Sequence, residues 1–285
     1  MMKLFTILTI FCKQKLYLDL KPGKKRNMIN IFVINLKRSE SRWRNIERQL
    51  KQSGLKADRF EAVDGHAGQH PLFSRYDDKL SRLWKGRPLS PGQLGCFASH
   101  FLIWEECVRL DTPVIAIEDD AVIEPSIFHD FLAAVESFPK ALECIRLFTN
   151  HSKHHSIIPV RNYRTFSIVK YTKGPMRATG YFITPGGAAK FLHNAERWFL
   201  PVDITMDRFW INGVECYGIQ PPCISNDPSF KSTIAVEDIQ RKKRSMVLRL
   251  RRESFSAKES LAKSLHNFKF RVSLSGFWKI GIGRQ

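Results

Sequence analysis

The sequence predicts an α/β fold in which helices flank a central, mostly parallel sheet. Residues 29–63 indicate a strand, a helix and a second strand, which together have the length of one βαβ unit. Residues 113–117 form a continuous apolar run, as expected for a parallel strand buried on both faces. With 285 residues, of which 43% are apolar, the chain can bury a core of ordinary size.

The first predicted unit begins with the β-branched run at residues 29–36. Ser39 occupies an N-cap position before a polar helix over residues 40–53, and Gly54 ends that helix. A second strand over residues 58–63 stops at Asp64 and Gly65. The polar stretch at residues 67–89 has no regular pattern, so we expect a long loop there.

A long helix is predicted over residues 92–110. Ser90 and Pro91 indicate its start, because Ser is a favoured N-cap and Pro is favoured at the first helical position. One face is apolar and is expected to pack on the sheet. That face consists of Leu94, Phe97, Phe101, Trp104 and Val108.

Helices and strands continue to alternate after residue 113. We expect a helix over 125–138, strands over 144–148, 166–171 and 178–184, and a helix over 185–196. Beyond residue 230, helical patterns occur only at residues 246–252 and 261–268. We therefore divide the chain into an N-terminal extension (residues 1–27), a folded domain (residues 28–230) and a basic C-terminal region (residues 231–285).

The chain is strongly basic, with a formal net charge of +19. Residues 231–284 carry 14 Lys or Arg against 4 Asp or Glu, which is more than half of the excess. Such an excess favours nucleic acid, anionic lipid or nucleotides as partners, and a solvated tail without a specific partner is the alternative. The six cysteines are scattered and form no C-x-x-C pair, so we expect a reducing compartment.

Residues 1–27 precede a second start-like position at Met28. The apolar run at residues 4–12 is too short to span a bilayer and has no small-residue cleavage site before Lys13 and Lys15. We therefore do not expect a signal peptide. The segment is either an interfacial anchor or the result of a misassigned start codon, and we favour the misassigned start.

The triplet Glu118-Asp119-Asp120 follows the predicted buried strand, at the end where open α/β sheets bind their ligands. Because side chains alternate along a strand, Glu118 and Asp120 are expected to point the same way. Paired carboxylates of this kind suit Mg²⁺ or Mn²⁺ bridged to substrate phosphates. The alternative is that Asp119 and Asp120 only occupy the turn before the next helix.

Two further sets of polar residues are candidates for a functional role. Ser99 and His100 lie inside the predicted helix over residues 92–110, where core residues with satisfied hydrogen bonds are the alternative. Asp203 follows Pro201 in an apolar neighbourhood and could be a general base whose acidity is weakened by burial. It could equally be the N-cap of a helix over residues 205–211.

Within residues 29–225 the chain resembles glycosyltransferase family 25, the lipopolysaccharide and lipooligosaccharide galactosyltransferases to which the animal collagen galactosyltransferases are related. The resemblance rests on the order and spacing of motifs that are weak when taken singly. They are Val33-Ile34-Asn35-Leu36 with Arg38 and Arg44, Ala62-Val63-Asp64-Gly65, Gly95-Cys96-x-x-Ser99-His100, Ile117-Glu118-Asp119-Asp120, Thr179-Gly180-Tyr181 and Pro201-Val202-Asp203. Gln93 departs from the pattern, because the family commonly has Glu at that position.

The resemblance implies a GT-A type fold, a UDP-sugar donor such as UDP-galactose, and Mn²⁺ (or Mg²⁺) held by Glu118 and Asp120. It places Asn35, Arg38 and Asp64 near the uracil and ribose. The other residues it assigns to the donor site are Ser99, His100, Asp119 and Thr179. Asp203 would be the catalytic base of an in-line displacement that inverts the sugar carbon.

The expected acceptor is the saccharide of a bacterial surface glycolipid in lipopolysaccharide or lipooligosaccharide biosynthesis. We expect a cytoplasmic enzyme held on the inner face of the bacterial inner membrane, with its basic C-terminal region against anionic lipid. A nucleic-acid-binding protein and a metal-dependent phosphoesterase remain the alternatives. The sequence carries no helix-turn-helix or zinc pattern, so we do not expect a nucleic-acid partner.

Overall fold

The computed structural model describes residues 29–149, 156–227 and 246–279. The predictions for residues 1–27 and 231–245 lie outside the described residues. An eight-stranded sheet with the strand order β2-β1-β3-β8-β5-β9-β7-β6 forms the centre, and β10 pairs with β4 beside it. The strands are β1 (Asn30–Asn35), β2 (Asp58–Glu61), β3 (Val114–Glu118), β4 (Ala121–Ile123), β5 (Cys144–Arg146), β6 (Ile157–Asn162), β7 (Ser167–Tyr171), β8 (Gly180–Ile183), β9 (Tyr217–Gln220) and β10 (Ile224–Asn226).

Helices pack on both faces of this sheet, and two separate hydrophobic clusters fill the space beneath them. The helices are α1 (Glu40–Gln52), α2 (Asp78–Lys85), α3 (Pro91–Leu110), α4 (Pro125–Ala134), α5 (Pro185–Asn194), α6 (Val202–Met206), α7 (Phe209–Asn212) and α8 (Met246–Lys279). The predicted α/β fold with flanking helices is therefore confirmed, and the architecture is consistent with a GT-A type fold.

The sheet is mixed, which differs from the mostly parallel sheet expected from the sequence. Strand β1 is parallel to β2 and β3, and β5 is parallel to β9. Strand β8 lies between β3 and β5 and is antiparallel to both, as β7 is to β6 and β9. An apolar run reports that a strand is buried but not the direction of its neighbours, so the sequence pattern could not reveal this.

The opening unit β1-α1-β2 forms as predicted. Ile46 and Leu50 bury one face of α1, and Gly54 ends the helix with a left-handed φ of 64°. Ser39 is the N-cap residue of α1, as predicted, but its side chain makes no capping hydrogen bond. Instead the backbone carbonyl of Ser39 accepts a 3.1 Å hydrogen bond from the side-chain amide of Asn35.

Helix α3 begins with the predicted cap. Ser90 Oγ accepts a hydrogen bond from the Gln93 backbone amide (3.2 Å), and the Gln93 side chain accepts one from the Ser90 amide (3.0 Å). Gln93 therefore closes a capping box without needing a charge. On the apolar face Phe97, Phe101 and Trp104 are buried, whereas Val108 is 40% exposed, so its predicted packing on the sheet is wrong.

The stretch at residues 67–89 is more regular than predicted. It contains a 3₁₀ helix (Pro71–Arg75) and then α2. Asp77 caps α2 by accepting a hydrogen bond from the Leu80 amide (2.8 Å), and Gly86 ends it with a φ of 74°. These start and stop residues bracket only eight residues, which is too short for a helical period to stand out among polar neighbours.

Helix α8 runs unbroken through both predicted C-terminal stretches and packs on the rest of the protein. Phe255 stacks on Trp84 of α2 with 3.8 Å between ring centroids. Glu259 accepts two hydrogen bonds of 2.8 Å from Arg208, which lies between α6 and α7. The polar residues between the two predicted stretches therefore belong to the same helix. One of them, Glu259, contacts the rest of the protein.

Candidate functional site

A pocket of about 130 Å³ lies where the carboxyl ends of β1 and β3 meet the start of α3. This is the edge of the sheet at which the sequence predicts a ligand site. The lining includes predicted residues from every part of that edge: Arg38, Asp64, Ser99, His100, Glu118, Asp119 and Asp120. Three predicted residues, Asn35, Thr179 and Asp203, are not part of the lining.

Asp119 is held in place from two sides. Its Oδ2 accepts a hydrogen bond from Asn35 Nδ2 (2.6 Å), and its Oδ1 accepts one from Arg42 Nη1 (3.1 Å). Burial raises the pKa of Asp119, while the hydrogen bond from Asn35 and the charge of Arg42 oppose that shift. Although Asn35 does not line the pocket, it fixes the acid triplet against β1.

Asp120 differs from Asp119, because its buried Oδ1 has no hydrogen-bond partner among the residues that the structure describes. Burial, followed by the negative charges of Glu118 and Asp119, raises the pKa of Asp120 to about 7. Glu118 is fixed through its backbone, since its amide donates a 2.8 Å hydrogen bond to the carbonyl of Thr179. An unpaired buried carboxylate oxygen beside a second carboxylate fits a hard divalent cation.

A second possible donor set shares Glu118. Its Oε1 lies 3.4 Å from His100 Nε2 and 4.0 Å from Cys96 Sγ, and these three ligand atoms could hold one metal ion. Sulfur and imidazole ligands suit Zn²⁺ better than Mn²⁺. Burial and then the charge of Glu118 raise the pKa of the Cys96 thiol well above its usual value.

His100 is buried and its other ring nitrogen is occupied. Nδ1 lies 3.0 Å from the hydroxyl of Tyr181, which also accepts a 3.1 Å hydrogen bond from Trp104. Trp104, Tyr181 and His100 therefore form a buried series of hydrogen-bonded side chains that ends at Glu118. His100 therefore fits both alternatives, because it is a buried residue whose hydrogen bonds are satisfied and it also lines the pocket.

Ser99 connects α3 to the segment after β2. Its hydroxyl accepts a hydrogen bond from the Val63 amide (2.9 Å) and donates one to the Gly95 carbonyl (2.8 Å). The two backbones approach so closely that a Cβ on Gly65 would lie 1.7 Å from the Pro91 carbonyl oxygen. Any residue larger than glycine would push this wall of the pocket apart.

Arg38 and Asp64 form an ion pair at the rim of the pocket, with 51% and 24% of their side chains exposed. Asp64 Oδ1 also accepts a 2.9 Å hydrogen bond from the His66 amide. Exposed ion pairs contribute little to stability. Both side chains can therefore exchange their partner for a ligand at a small cost in free energy.

Asp203 lies in the first turn of α6, so the prediction that it caps a helix over residues 205–211 is wrong. That region forms two short helices, α6 and α7, instead of one. Both carboxylate oxygens of Asp203 accept backbone hydrogen bonds: Oδ2 from Arg177 (3.0 Å) and Oδ1 from Ile204 (2.9 Å). Its negative charge acts on Cys96, which lines the pocket. Burial, then the charge of Glu118, then the charge of Asp203 raise the pKa of the Cys96 thiol.

The segment before β8 has a strained backbone that two aspartates hold. Met176 and Arg177 have left-handed φ values of 60° and 64°, which are unfavourable for residues with side chains. The amide of Met176 donates to Asp207 Oδ2 (2.9 Å), and Asp207 Oδ1 accepts a 2.8 Å hydrogen bond from the buried Arg146. This arrangement directs the Arg177 guanidinium to Asn226 Oδ1 at 2.8 Å.

Thr179 is buried, and its hydroxyl lies 3.4 Å from the Asn226 side-chain amide. Its predicted role in binding the donor stays a prediction, since its visible contacts are internal. Arg42, Cys96 and Arg177 lie near the acids but were not predicted as site residues. Arg42 lies in the first turn of α1, four residues after Arg38, and this closeness in sequence was the available signal.

A family model matches the part of the chain that contains the pocket. The family model described as "Glycosyltransferase family 25 (LPS biosynthesis protein)" matches residues 28–206. A "Glycosyltransferase 25 family member" of Drosophila melanogaster is 36% identical over 184 residues, which is 62% of this chain and 30% of the relative. The human "Procollagen galactosyltransferase 2" is 29% identical over 194 residues, which is 64% of this chain and 30% of the relative.

The chain thus spans about a third or less of the length of these curated relatives. The region that matches the family model contains every predicted site residue from Asn35 to Asp203. It also contains the whole lining of the pocket. The protein belongs to glycosyltransferase family 25.

Proposed function

We propose that the protein is a hexosyltransferase that moves galactose from UDP-galactose to a saccharide acceptor. The observation that carries the proposal is the buried, unpaired Oδ1 of Asp120 beside Glu118, in a pocket at the carboxyl ends of β1 and β3. The match to family 25 supports sugar transfer, and galactose agrees with the printed names of the mouse and human relatives, "Procollagen galactosyltransferase 2".

A divalent cation, Mn²⁺ or Mg²⁺, fits Glu118 and Asp120 better than it fits the alternative set. The cation would neutralise negative charge on the donor diphosphate as the sugar leaves. Asp120 offers a hard carboxylate oxygen that no described donor occupies, whereas Cys96 and His100 offer softer ligands that suit Zn²⁺ better. Asp119 stays with Asn35 and Arg42 and holds its two neighbours in position.

The residues of this chain would bind the nucleotide at the rim of the pocket. Arg38 and Asp64 are the most accessible of the predicted donor-binding side chains, and they would contact the uracil and ribose. Ser99 and the close approach of Gly65 to Pro91 keep the opposite wall rigid. The nucleotide would thus lie between β1 and the start of α3.

Asp203 remains our candidate for the base. The acceptor hydroxyl oxygen would attack the anomeric carbon while the bond to the diphosphate oxygen breaks, with inversion at that carbon. Asp203 would take the hydroxyl proton. A carboxylate oxygen has two lone pairs, so the hydrogen bonds from Arg177 and Ile204 leave one acceptor position on each oxygen.

We further propose that the acceptor is the saccharide of a glycolipid in lipopolysaccharide or lipooligosaccharide biosynthesis. The enzyme would then work at the inner face of a bacterial inner membrane. The description of the matching family as an LPS biosynthesis protein supports this acceptor class, although the relatives described above are animal proteins. No helix in the described part of the chain is long and apolar enough to cross a membrane.

A donor screen tests the proposal. The purified protein is incubated with UDP-galactose, UDP-glucose and other nucleotide sugars, with and without Mn²⁺, while hydrolysis and the thermal midpoint are measured. We expect stabilisation and slow hydrolysis with UDP-galactose only when Mn²⁺ is present. Equal responses with and without the metal would contradict the metal assignment, and a response to another sugar alone would contradict galactose as the donor.

A further inference from the structure

Helix α8 has an exposed apolar stripe on the side that faces away from the body. Its side chains are between 53% and 78% exposed, although each is large and apolar. At 100° per residue they fall within an arc of about 100° along roughly 33 Å of helix. The apolar stripe consists of Met246, Leu250, Leu261, Leu265 and Phe268.

The opposite side of α8 is already used to hold the helix on the protein. Phe255 stacks on Trp84, Glu259 binds Arg208, and Asn267 donates a 2.8 Å hydrogen bond to the carbonyl of Thr172. His266 also forms a hydrogen bond with Glu215. The contacts with the body therefore fix the direction in which the apolar stripe points, but they do not bury its side chains.

Positive charges follow one edge of the apolar stripe. Arg251, Lys258 and Lys269 are all exposed and lie about 20 to 40° beyond that edge on the helical wheel. An apolar face bordered by Lys and Arg is typical of a helix that lies in the surface of an anionic bilayer. The net charge of +19 favours such a surface and opposes contact with a second copy of the chain.

We propose that α8 is a membrane-surface helix whose apolar stripe inserts into an anionic lipid bilayer while its opposite face stays bound to the catalytic body. The helix would lie along the surface, which agrees with the finding that no described helix can span a membrane. The lysines and arginines at its edge would contact lipid phosphates. Lipid binding does not depend on the proposed transfer reaction.

The test compares two double variants that add the same charge to α8. Leu261→Asp/Leu265→Asp places two carboxylates in the apolar stripe, and the control Ser256→Asp/Ser260→Asp places them on exposed positions outside it. Binding is measured by co-sedimentation with phosphatidylcholine vesicles, with and without phosphatidylglycerol. Thermal midpoints and donor hydrolysis in solution establish that each variant is folded and has an intact pocket.

We expect the wild type to bind the anionic vesicles and the stripe variant to lose more than 100-fold in partitioning, because it replaces two exposed leucines that would enter the bilayer. The control should lose about 25-fold or less, because it adds two charges at about fivefold each. Removing the edge cations with Arg251→Gln/Lys258→Gln/Lys269→Gln should cost about 100-fold on anionic vesicles, at about fivefold per cation.

Three results would overturn the inference: no binding of the wild type to anionic vesicles, equal binding of the two double variants, or a wild-type dimer that only the stripe variant separates. The last result would mean that the apolar stripe is an interface between copies of the chain. Vesicle binding by a protein that hydrolyses no nucleotide sugar would support the inference while contradicting the proposed function.

Discussion

The side-chain amide of Asn35 donates a 2.6 Å hydrogen bond to Oδ2 of Asp119 and so joins the end of β1 to the acid triplet after β3. The same amide also donates to the Ser39 carbonyl at the start of α1. Three elements thus meet at one buried side chain. Because Glu118 and Asp120 flank Asp119, their positions depend on this junction.

Replacing Asn35 with Ala should therefore weaken both the fold and the pocket. The change leaves buried Asp119 with Arg42 as its remaining described side-chain donor, and we expect a loss of about 1–3 kcal/mol in the free energy of unfolding. The Michaelis constant for the donor should rise as well. Urea unfolding and donor kinetics check this, with Gln52→Ala at the exposed end of α1 as the control. Unchanged stability and kinetics would contradict this role of Asn35.

The Asp203→Asn variant separates proton removal from structural support. Asn keeps one oxygen that can accept the Arg177 amide hydrogen bond, loses the acceptor of the Ile204 amide, and cannot serve as a base. We expect donor binding close to wild type, a small fall in the thermal midpoint, and a loss of transfer of about 10²-fold or more. Asp203→Ala should lower the thermal midpoint further, because it removes both acceptors. Equal loss of donor binding and transfer in Asp203→Asn would indicate that Asp203 only supports the segment before β8.

The buried pair of Arg146 and Asp207 should be among the most sensitive positions for stability. Burial raises the pKa of Asp207 to about 6, which still leaves it ionised and paired with Arg146 at neutral pH. Asp207→Asn leaves a buried guanidinium without its counter-charge and should cost about 3–5 kcal/mol. Asp78→Asn removes an exposed ion pair with Arg82 and should cost less than about 1 kcal/mol. Similar losses in the two variants, measured by urea unfolding, would contradict this distinction.

Glu215 gives a pH-dependent prediction. Burial opposes its ionisation, but the hydrogen bond from His266 and the charge of buried Lys170 lower the pKa of Glu215 below its usual value of 4.5. A lowered pKa contributes stability that is complete above about pH 4.5 and is lost as the pH falls through the folded-state pKa.

The Glu215→Gln variant should therefore melt well below the wild type at pH 7, and this difference should shrink as the pH falls below about 4.5. Differential scanning calorimetry across that range measures it. A difference that is independent of pH would mean that the side chain acts through its shape and not its charge.

Some parts of the site could be predicted from the sequence because their signals are local. The apolar run of β3 and the acids after it define one sheet edge, and Ser90 with Pro91 defines the start of α3. The roles of Asp203 and Arg177 depend on a contact across 26 positions of the chain, and no local pattern reports such a contact. The antiparallel β8 was missed for the same reason, since pairing partners are set by the packing of distant segments.

Titration of Mn²⁺ and UDP into the wild type and the Asp120→Ala variant, followed by calorimetry, tests the central claim most directly. The account predicts that UDP binding to the wild type requires Mn²⁺, and that Asp120→Ala loses this metal-dependent binding along with about 10²-fold or more in transfer. Asp58→Ala, which removes an exposed carboxylate from β2, should behave as the wild type. Undiminished Mn²⁺-dependent UDP binding in Asp120→Ala would contradict the assignment of this pocket.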